Sequence, residues 1–478
     1  MPDDGFLVNG FSPDAPAVFD GNTAQWLTRR QLSRAVSDFA ERLRFPQKAF
    51  GFIFAFNNAE SLVAYLAAVH AGHAVAMLNP ELDPVLRARL ISLFQPDFII
   101  EPKPHDAMNG YREVESPYTS QALLRSTTPH RHPVHPDLAL LLSTSGSTGS
   151  PKLARLSFHN LEFNARQVIR ALRLTDQDRT MITAPIFNAL AQSAIHSLLL
   201  CGASFAITRA RVVTSEFWDT ARRAECNSIG GTPFFYQTLD RLDLDSLNVP
   251  LLKNFLQTGG RFPEHLASKF HAIAMARGGS LHMMYGQSEA GPRMSDLGPA
   301  HLPEAWRSIG VALEGGRLWV QNDGRECPPM EEGEIYYQGP NVMMGYAFGP
   351  DDLGKGDQVG GILATGDVGY RDQRGLFYIT GRKSRFAKVF GWRVSLDEVE
   401  ELLAHAGTVA AITESERVVI CAERPGPALE GAVDQLAVRL RLHRSGFEIR
   451  EVDAIPRLAN GKVDYRSLAE GVHKASAR

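Results

Sequence analysis

Thr144-Ser145-Gly146-Ser147-Thr148-Gly149-Ser150-Pro151-Lys152 follows directly on the apolar run Leu138-Ala139-Leu140-Leu141-Leu142. A short buried strand that gives way to hydroxyls, glycines and a lysine suits a phosphate cradle. Glycine lets backbone N–H groups approach an anion, hydroxyls donate further hydrogen bonds, and the ammonium adds a point charge. A Walker loop needs Gly, Lys and then Ser or Thr in succession, whereas Pro151 precedes Lys152 and Leu153 follows it. This is a phosphate loop of another kind. Standing alone, the same composition describes a flexible Ser/Gly linker, so residues elsewhere in the chain decide between the two.

Outward from this stretch, short apolar runs alternate with longer segments of helical period. Phe50 to Phe56, Val75 to Leu78 and Phe98 to Ile100 read as buried strands, and Leu32 to Leu43 and Glu60 to Val69 as helices. Thr175 to Pro185 and Ser204 to Thr208 continue the alternation, which predicts an α/β fold of layered sheets and helices. After about Gly310 the texture changes to short strands with turn signals such as Asn322-Asp323-Gly324 and Gln373-Arg374-Gly375, a small β-rich subdomain over 310–381. Beyond a joint at Gly381 to Arg385, a helix opened by Ser395 and Asp397-Glu398, a second near Val433 to Arg444 and intervening strands predict a compact α+β domain over 382–478, with a tail frayed from His473.

A chain of 478 residues exceeds one ordinary core, so two or three domains or subdomains are expected. A formal net charge of -3 supplies no field for nucleic acid or an anionic membrane. Cys201, Cys226, Cys327 and Cys421 are too scattered for a metal or redox pair and read as reduced thiols. The start Met1-Pro2-Asp3-Asp4-Gly5 lacks the basic head and apolar centre of a secretory signal, and His70, Gly72 and His73 interrupt the nearest approach to a membrane span. A cytoplasmic protein without a transmembrane segment is expected. Composition leaves the oligomeric state open.

Four further stretches set carboxylates, cations and hydroxyls beside glycine. They are Tyr285-Gly286-Gln287-Ser288-Glu289-Ala290, Thr365-Gly366-Asp367, the segment from Gly381-Arg382 through Ser384 to Gly391-Trp392-Arg393, and Pro456-Arg457-Leu458-Ala459-Asn460-Gly461-Lys462. With Thr144 to Lys152, and in this order, they resemble the signature motifs of the acyl-adenylate-forming superfamily, which includes acyl-CoA synthetases, luciferases and nonribosomal adenylation domains. The resemblance covers nearly the whole chain. Ser288 stands where the family usually has threonine, and Ser384 where its hinge motif has Asp or Lys.

The resemblance implies an AMP-forming carboxylic acid ligase with a large N-terminal AMP-binding domain over 1–381 and a mobile C-terminal lid over 382–478. ATP and Mg²⁺ are the implied cofactors. Thr144, Ser145, Gly146, Ser147, Thr148, Gly149 and Lys152 would cradle phosphate, and Ser288 would bond the α-phosphate. Glu289 would hold Mg²⁺, an oxygen ligand suited to a metal bridging phosphates. Tyr285, Gly286, Gly259 and Gly260 would line the nucleotide, Asp367 would take the ribose hydroxyls and Arg382 the ribose or phosphate side. Lys462 would bridge the attacking carboxylate and the α-phosphate. Ser384 would be the hinge, and Gly391 would pass the pantetheine arm of CoA or of a carrier protein; an amine acceptor, giving an amide, is the alternative within the class.

The acid would lie among Asn188, Gln192, Thr232, Phe234 and Met284. Burying a substrate ammonium requires a paired carboxylate, and Asn188 offers a neutral amide, so an α-amino acid is disfavoured. Two rival classes stand beside this one. Gly286-Gln287-Ser288-Glu289-Ala290 is one residue from a Gly-x-Ser-x-Gly nucleophile elbow, which would make Ser288 the nucleophile of an α/β hydrolase, although no downstream histidine is singled out. A nucleotide binder without turnover is the other, and it has no use for Lys462.

Overall fold

The computed structural model describes residue 6 and residues 10–104, 107–128, 132–143, 152–242, 244, 246–302, 304–383, 385–390, 392–414, 417–440, 442–458 and 461–476. The chain divides into two compact units, Met1–Arg317 with Tyr337–Leu363, and Leu318–Tyr336 with Ala364–Arg478.

In the first unit the apolar run ahead of the phosphate-loop stretch is the strand Leu138–Ser143, buried except at its last residue. It lies parallel to Ala74–Leu78, which pairs with Phe50–Phe54, which pairs with Phe98–Pro102. Antiparallel strands complete the eight-stranded sheet, Leu153–Ser157 and Gly345–Ala347 on one side and Gln121–Ser126 and Tyr111–Val114 on the other. Phe50, Phe52 and Phe54 bury on one face with Leu90 and Phe94, while Ile53, Val75, Met77 and Leu140 bury on the other. Both faces are covered, which is why these strands read as unbroken apolar runs rather than as alternation. The helices Arg29–Arg42 and Ala59–His70 start on Thr28 and Asn58, whose side chains accept from the N–H groups of Gln31 and Ser61. Such caps contribute about 1 kcal/mol each.

A second sheet in this unit runs parallel through Pro16–Asp20, Ser204–Ile207, Arg179–Met181, Ser228–Gly231, Asn254–Thr258 and Leu281–Tyr285, then turns back antiparallel through Ser295–Leu297 and Ser308–Ala312. The last three parallel strands end at Gly231, Thr258 and Tyr285, so Thr232, Gly259-Gly260 and Gly286 all fall at one carboxyl edge. That edge is where sheets of this kind bind ligands. Within Thr175 to Pro185, which continues the alternation, the strand is Arg179–Met181.

The second unit begins with a hairpin in which Asn322 opposes Arg325. Asp323 and Gly324 have φ of 48° and 79°, the two left-handed residues of a tight type I′ turn. Ile362–Arg371 and Phe377–Arg382 pair antiparallel. Toward the C-terminus, the hairpin Phe386–Val389 with Trp392–Ser395 precedes a three-stranded sheet of Val409–Glu414, Arg417–Ala422 and Phe447–Glu451. Ser395 caps the helix Leu396–Leu403 as expected, accepting from the Glu398 N–H at 3.3 Å. Two expectations are corrected. The helix placed near Val433 to Arg444 spans Pro427–Arg439, with Pro427 in its first turn, where a missing N–H costs nothing. The helix Tyr465–Ser476 continues past His473, because Leu468 and Val472 bury against Ala410 and Val419.

Cys226, Cys327 and Cys421 are buried and Cys201 half-buried, all as free thiols. Among the described residues, no helix is long and apolar enough to cross a membrane.

Candidate active site

The strand Leu281–Tyr285 ends in a turn that only glycine can make. A Cβ on Gly286 would fall 1.8 Å from the Pro292 carbonyl oxygen. The turn is then held from two sides: the amide of buried Asn164 donates to the Arg293 carbonyl at 2.7 Å, and that of buried Asn341 donates to the Ala290 carbonyl at 2.6 Å. Leaving such a buried carbonyl unpaired costs about 1–3 kcal/mol. So fixed, the 3-10 turn Ser288–Ala290 presents the Glu289 carboxylate, whose Oε1 accepts from the Tyr346 hydroxyl at 2.8 Å. The Lys152 ammonium lies 4.2 Å from the centroid of the same Tyr346 ring. Burial first, and the Glu289 carboxylate second, push the Tyr346 hydroxyl far above its ordinary value, so it stays protonated and donates. Lys152 and Glu289, distant in sequence, thus meet at an aromatic that the sequence reading missed.

At the same carboxyl edge, Thr232 precedes the helix Pro233–Arg241 without a side-chain cap bond. Its Cγ2 lies 3.4 Å from where a Cβ on Gly259 would stand, and Gly259 has φ +81°. The Gly260 carbonyl accepts from the Gln257 amide at 2.8 Å. Asn188 precedes the helix Ala189–Leu200, again with its side chain unused for capping, and its N–H donates to the Pro185 carbonyl at 2.9 Å. Gln192 is buried; its amide nitrogen donates to the Ile186 carbonyl, and its Oε1 has no hydrogen-bond partner. Phe234 is half-exposed, whereas Met284 is buried with its sulfur accepting from Arg293 Nη1 at 3.3 Å.

In the second unit the pairing of Ile362–Arg371 with Phe377–Arg382 sets Asp367 opposite Arg382. Arg382 Nε donates to Asp367 Oδ1 at 2.9 Å; the aspartate side chain is 2% exposed and the arginine 53%. The Thr365 hydroxyl holds the strand by donating to the Ile335 carbonyl at 2.6 Å and accepting the Asp367 N–H at 3.1 Å. Lys462 follows Gly461, whose φ of +81° makes the turn, and the Lys462 carbonyl accepts the Leu458 N–H at 2.8 Å. Although Lys462 as a residue is exposed, its ammonium is held below the ordinary lysine value by desolvation and then by the Arg382 charge, with Asp367 acting in the opposite sense. Lys462, Arg382 and Asp367 therefore share one electrostatic neighbourhood. Thr144, Ser145, Gly146, Ser147, Thr148, Gly149, Ser384 and Gly391 lie outside the described residues.

A family profile described as AMP-binding enzyme matches residues 8–347. The chain belongs to the AMP-binding enzyme family. It is 28% identical over 482 residues to a feruloyl-CoA synthase of Amycolatopsis sp, covering 95% of each chain. It is also 28% identical to the 2-succinylbenzoate–CoA ligase of Bacillus subtilis (strain 168), over 70% of this chain and 68% of that one. Its fold matches the O-succinylbenzoate coenzyme A synthetase of Bacillus subtilis in complex with ATP and magnesium ion, with TM-score 0.74 and 23% identity over 96% of this chain and 97% of that one. Family and curated relatives together make this AMP-binding enzyme an ATP-dependent, AMP-forming ligase that joins a carboxylic acid to a thiol. The α/β expectation holds with it.

In this AMP-binding enzyme the described residues contain no cluster of three or more His, Cys, Asp or Glu able to cage a metal. A single carboxylate such as Glu289, already oriented by Tyr346, fits Mg²⁺, which keeps its waters and takes phosphate oxygens as its other ligands. Ser288 makes no side-chain hydrogen bond to a histidine among the described residues, and His282 is paired with Asp296 at 2.8 Å, so a hydrolase triad is not assembled. A cleft of about 730 Å³, lined by Arg29, Arg179, Lys253 and Arg277, lies at the amino ends of the parallel strands and includes none of the expected site residues. Arg293 was also missed from sequence; it stands as the lone cation in Ala290-Gly291-Pro292-Arg293-Met294-Ser295.

Proposed function

We propose that this AMP-binding enzyme is a CoA ligase. A carboxylate oxygen of the acid attacks the α-phosphorus of ATP, the bond to the β-phosphate oxygen breaks, and pyrophosphate leaves an acyl-adenylate. The CoA thiolate then attacks the acyl carbon, the thiol proton passes to solvent, and AMP departs. The chemistry supplied by Mg²⁺ when bound is neutralisation of phosphate charge, with Glu289 as its protein ligand. Lys152, Ser288 and the hydroxyls and glycines of Thr144 to Gly149 hold phosphate oxygens, and Tyr285, Gly286 and Gly259-Gly260 flank the nucleotide. Asp367 and Arg382 serve the ribose, Ser384 acts as pivot of a lid that starts near residue 382, and Gly391 serves the pantetheine arm. Asn188, Gln192, Thr232, Phe234 and Met284 form the acid pocket. The setting is cytoplasmic.

One observation carries the reading: the Lys462 ammonium stands in the field of Asp367 and Arg382, the pair assigned to the ribose. A cation there lets two anions, carboxylate and α-phosphate, approach each other. CoA is preferred over a carrier protein or an amine because the curated relatives are named as CoA ligases. Lys462→Ala should lower acid-dependent ATP–pyrophosphate exchange by roughly a hundredfold or more while sparing transfer from preformed acyl-adenylate to CoA. Equal loss in the two half-reactions would remove Lys462 from the chemistry.

A further inference from the structure

Arg293 is among the largest fully buried side chains of the protein, at 1% exposure. A buried guanidinium is retained at a cost of several kcal/mol unless carboxylates or carbonyls fill its donors. Here they do not. Among the described residues, Nη1 donates to the thioether of Met284, a weak acceptor, and Nε is buried without a partner. Asp296, the acid whose charge acts on Arg293, spends one carboxylate oxygen on His282 at 2.8 Å, and its other oxygen is buried without a partner among the described residues, so the two charges attract without a hydrogen bond.

The position of this cation is specific. Arg293 begins the antiparallel return from the carboxyl end of Leu281–Tyr285, its Cα against Gly286 and its Nη1 on Met284, a wall of the assigned acid pocket. Its carbonyl is held by Asn164, whose Oδ1 accepts from Ser193, the neighbour in sequence of Gln192. Among the described residues, Gln192 Oε1 is a further buried polar atom without a partner. Met284 is thus bonded to this guanidinium directly, and the helix of Gln192 reaches the Arg293 backbone through Ser193 and Asn164.

We infer that Arg293 selects the acid: the substrate carries, besides the carboxylate that is adenylated, a second anionic group, a carboxylate or sulfonate, that pairs with this guanidinium. A planar cation with parallel N–H donors matches such a group in two-pronged fashion. A site built to bond a polar substituent rejects analogues lacking it far more strongly than an apolar pocket rejects a missing methylene. This inference rests on the CoA-ligase reading above.

The test is ATP–pyrophosphate exchange with matched pairs of alkyl and aryl acids, each pair differing only in a second carboxylate or sulfonate against its methyl ester or amide. The wild-type enzyme should favour the charged member by at least about tenfold in kcat/KM. Arg293→Met should erase or invert that preference with AMP binding retained, and Arg293→Lys should keep it in weakened form. Wild-type preference for the uncharged members, or an unchanged ranking in Arg293→Met, would overturn the inference. Should Arg293→Met not fold, the wild-type ranking and the selective loss on charged acids in Arg293→Lys decide instead. Exchange with no acid of either kind would count against the ligase reading rather than against Arg293.

Discussion

Tyr346 shows how one side chain serves two charges at once, its hydroxyl held to Glu289 and its ring under Lys152. A hydrogen bond to a charged group contributes about 1.5–3 kcal/mol and a partly exposed cation–π contact about 0.5–1 kcal/mol, so the two should separate by mutation. Tyr346→Phe keeps the ring and frees the carboxylate: the Mg²⁺ concentration needed for ATP binding should rise roughly tenfold, while metal-free ATP affinity holds. Tyr346→Leu should weaken metal-free ATP binding as well. Calorimetric titration of ATP with and without Mg²⁺ checks both, and an unchanged Mg²⁺ requirement in Tyr346→Phe would detach the hydroxyl from the metal site. Glu289 and Lys152 were legible in the sequence because each sits in a run of glycines and hydroxyls with few other uses. Tyr346 was not, since a tyrosine after a glycine is ordinary core until the pairing of Gly345–Ala347 with Leu153–Ser157 sets it beside Lys152.

The helix Ala189–Leu200 carries Gln192, which is proposed for the acid pocket, and, one turn on, a histidine the chemistry does not use. His196 is buried, stacked on Phe6 with ring centroids 3.9 Å apart and bonded to the Tyr65 hydroxyl at 2.7 Å. Burial pushes its pKa down to about 3. The unfolded chain, with histidine near ~6.5, takes up the proton between those values and the folded chain does not. Stability from this group is therefore full above about pH 6.5 and is lost as pH falls toward 3, at up to about 1.4 kcal/mol per pH unit. Urea midpoints at pH 7.5 and 5 should differ less in His196→Gln than in wild type; equal differences would mean His196 takes the proton inside the fold. Element existence was legible wherever burial is two-sided, as in Phe50–Phe54. Element ends were not, because caps and burial of the next turn decide them: Pro427 starts one helix early and Leu468 with Val472 carry another to Ser476.

Across the molecule, the order of five motifs made an adenylate-forming ligase legible in the sequence, because each motif constrains which charges the next must supply. The division at residue 382 remains part of the proposal, since a pivot is defined by motion and leaves no mark in composition. What holds the Lys462-bearing end together was hidden from sequence and can be tested. Arg385 donates to Glu400 Oε1 at 2.8 Å and to the Ala411 carbonyl at 2.9 Å, bonds Asp397, and stacks 3.7 Å from the Tyr465 ring centroid, while the Tyr465 hydroxyl donates to Glu400 Oε2 at 2.8 Å. Arg385 thereby ties the helix Leu396–Leu403, the strand Val409–Glu414 and the start of the helix Tyr465–Ser476. Desolvation alone would lower the Arg385 pKa, yet its carboxylates hold it up, while burial pushes Glu400 up in spite of Arg385. With the arginine side chain 15% exposed and Glu400 19%, removing one partner leaves a largely buried charge, at about 3 kcal/mol. Arg385→Ala should accordingly speed amide exchange in Leu396–Leu403, Val409–Glu414 and Tyr465–Ser476 by roughly a hundredfold and leave Ala74–Leu78 in the first unit unchanged. Loss of protection spread evenly over both would mean that the two compact units unfold as one, and that the anchoring of Lys462 cannot be tuned apart from the sheets that carry Glu289.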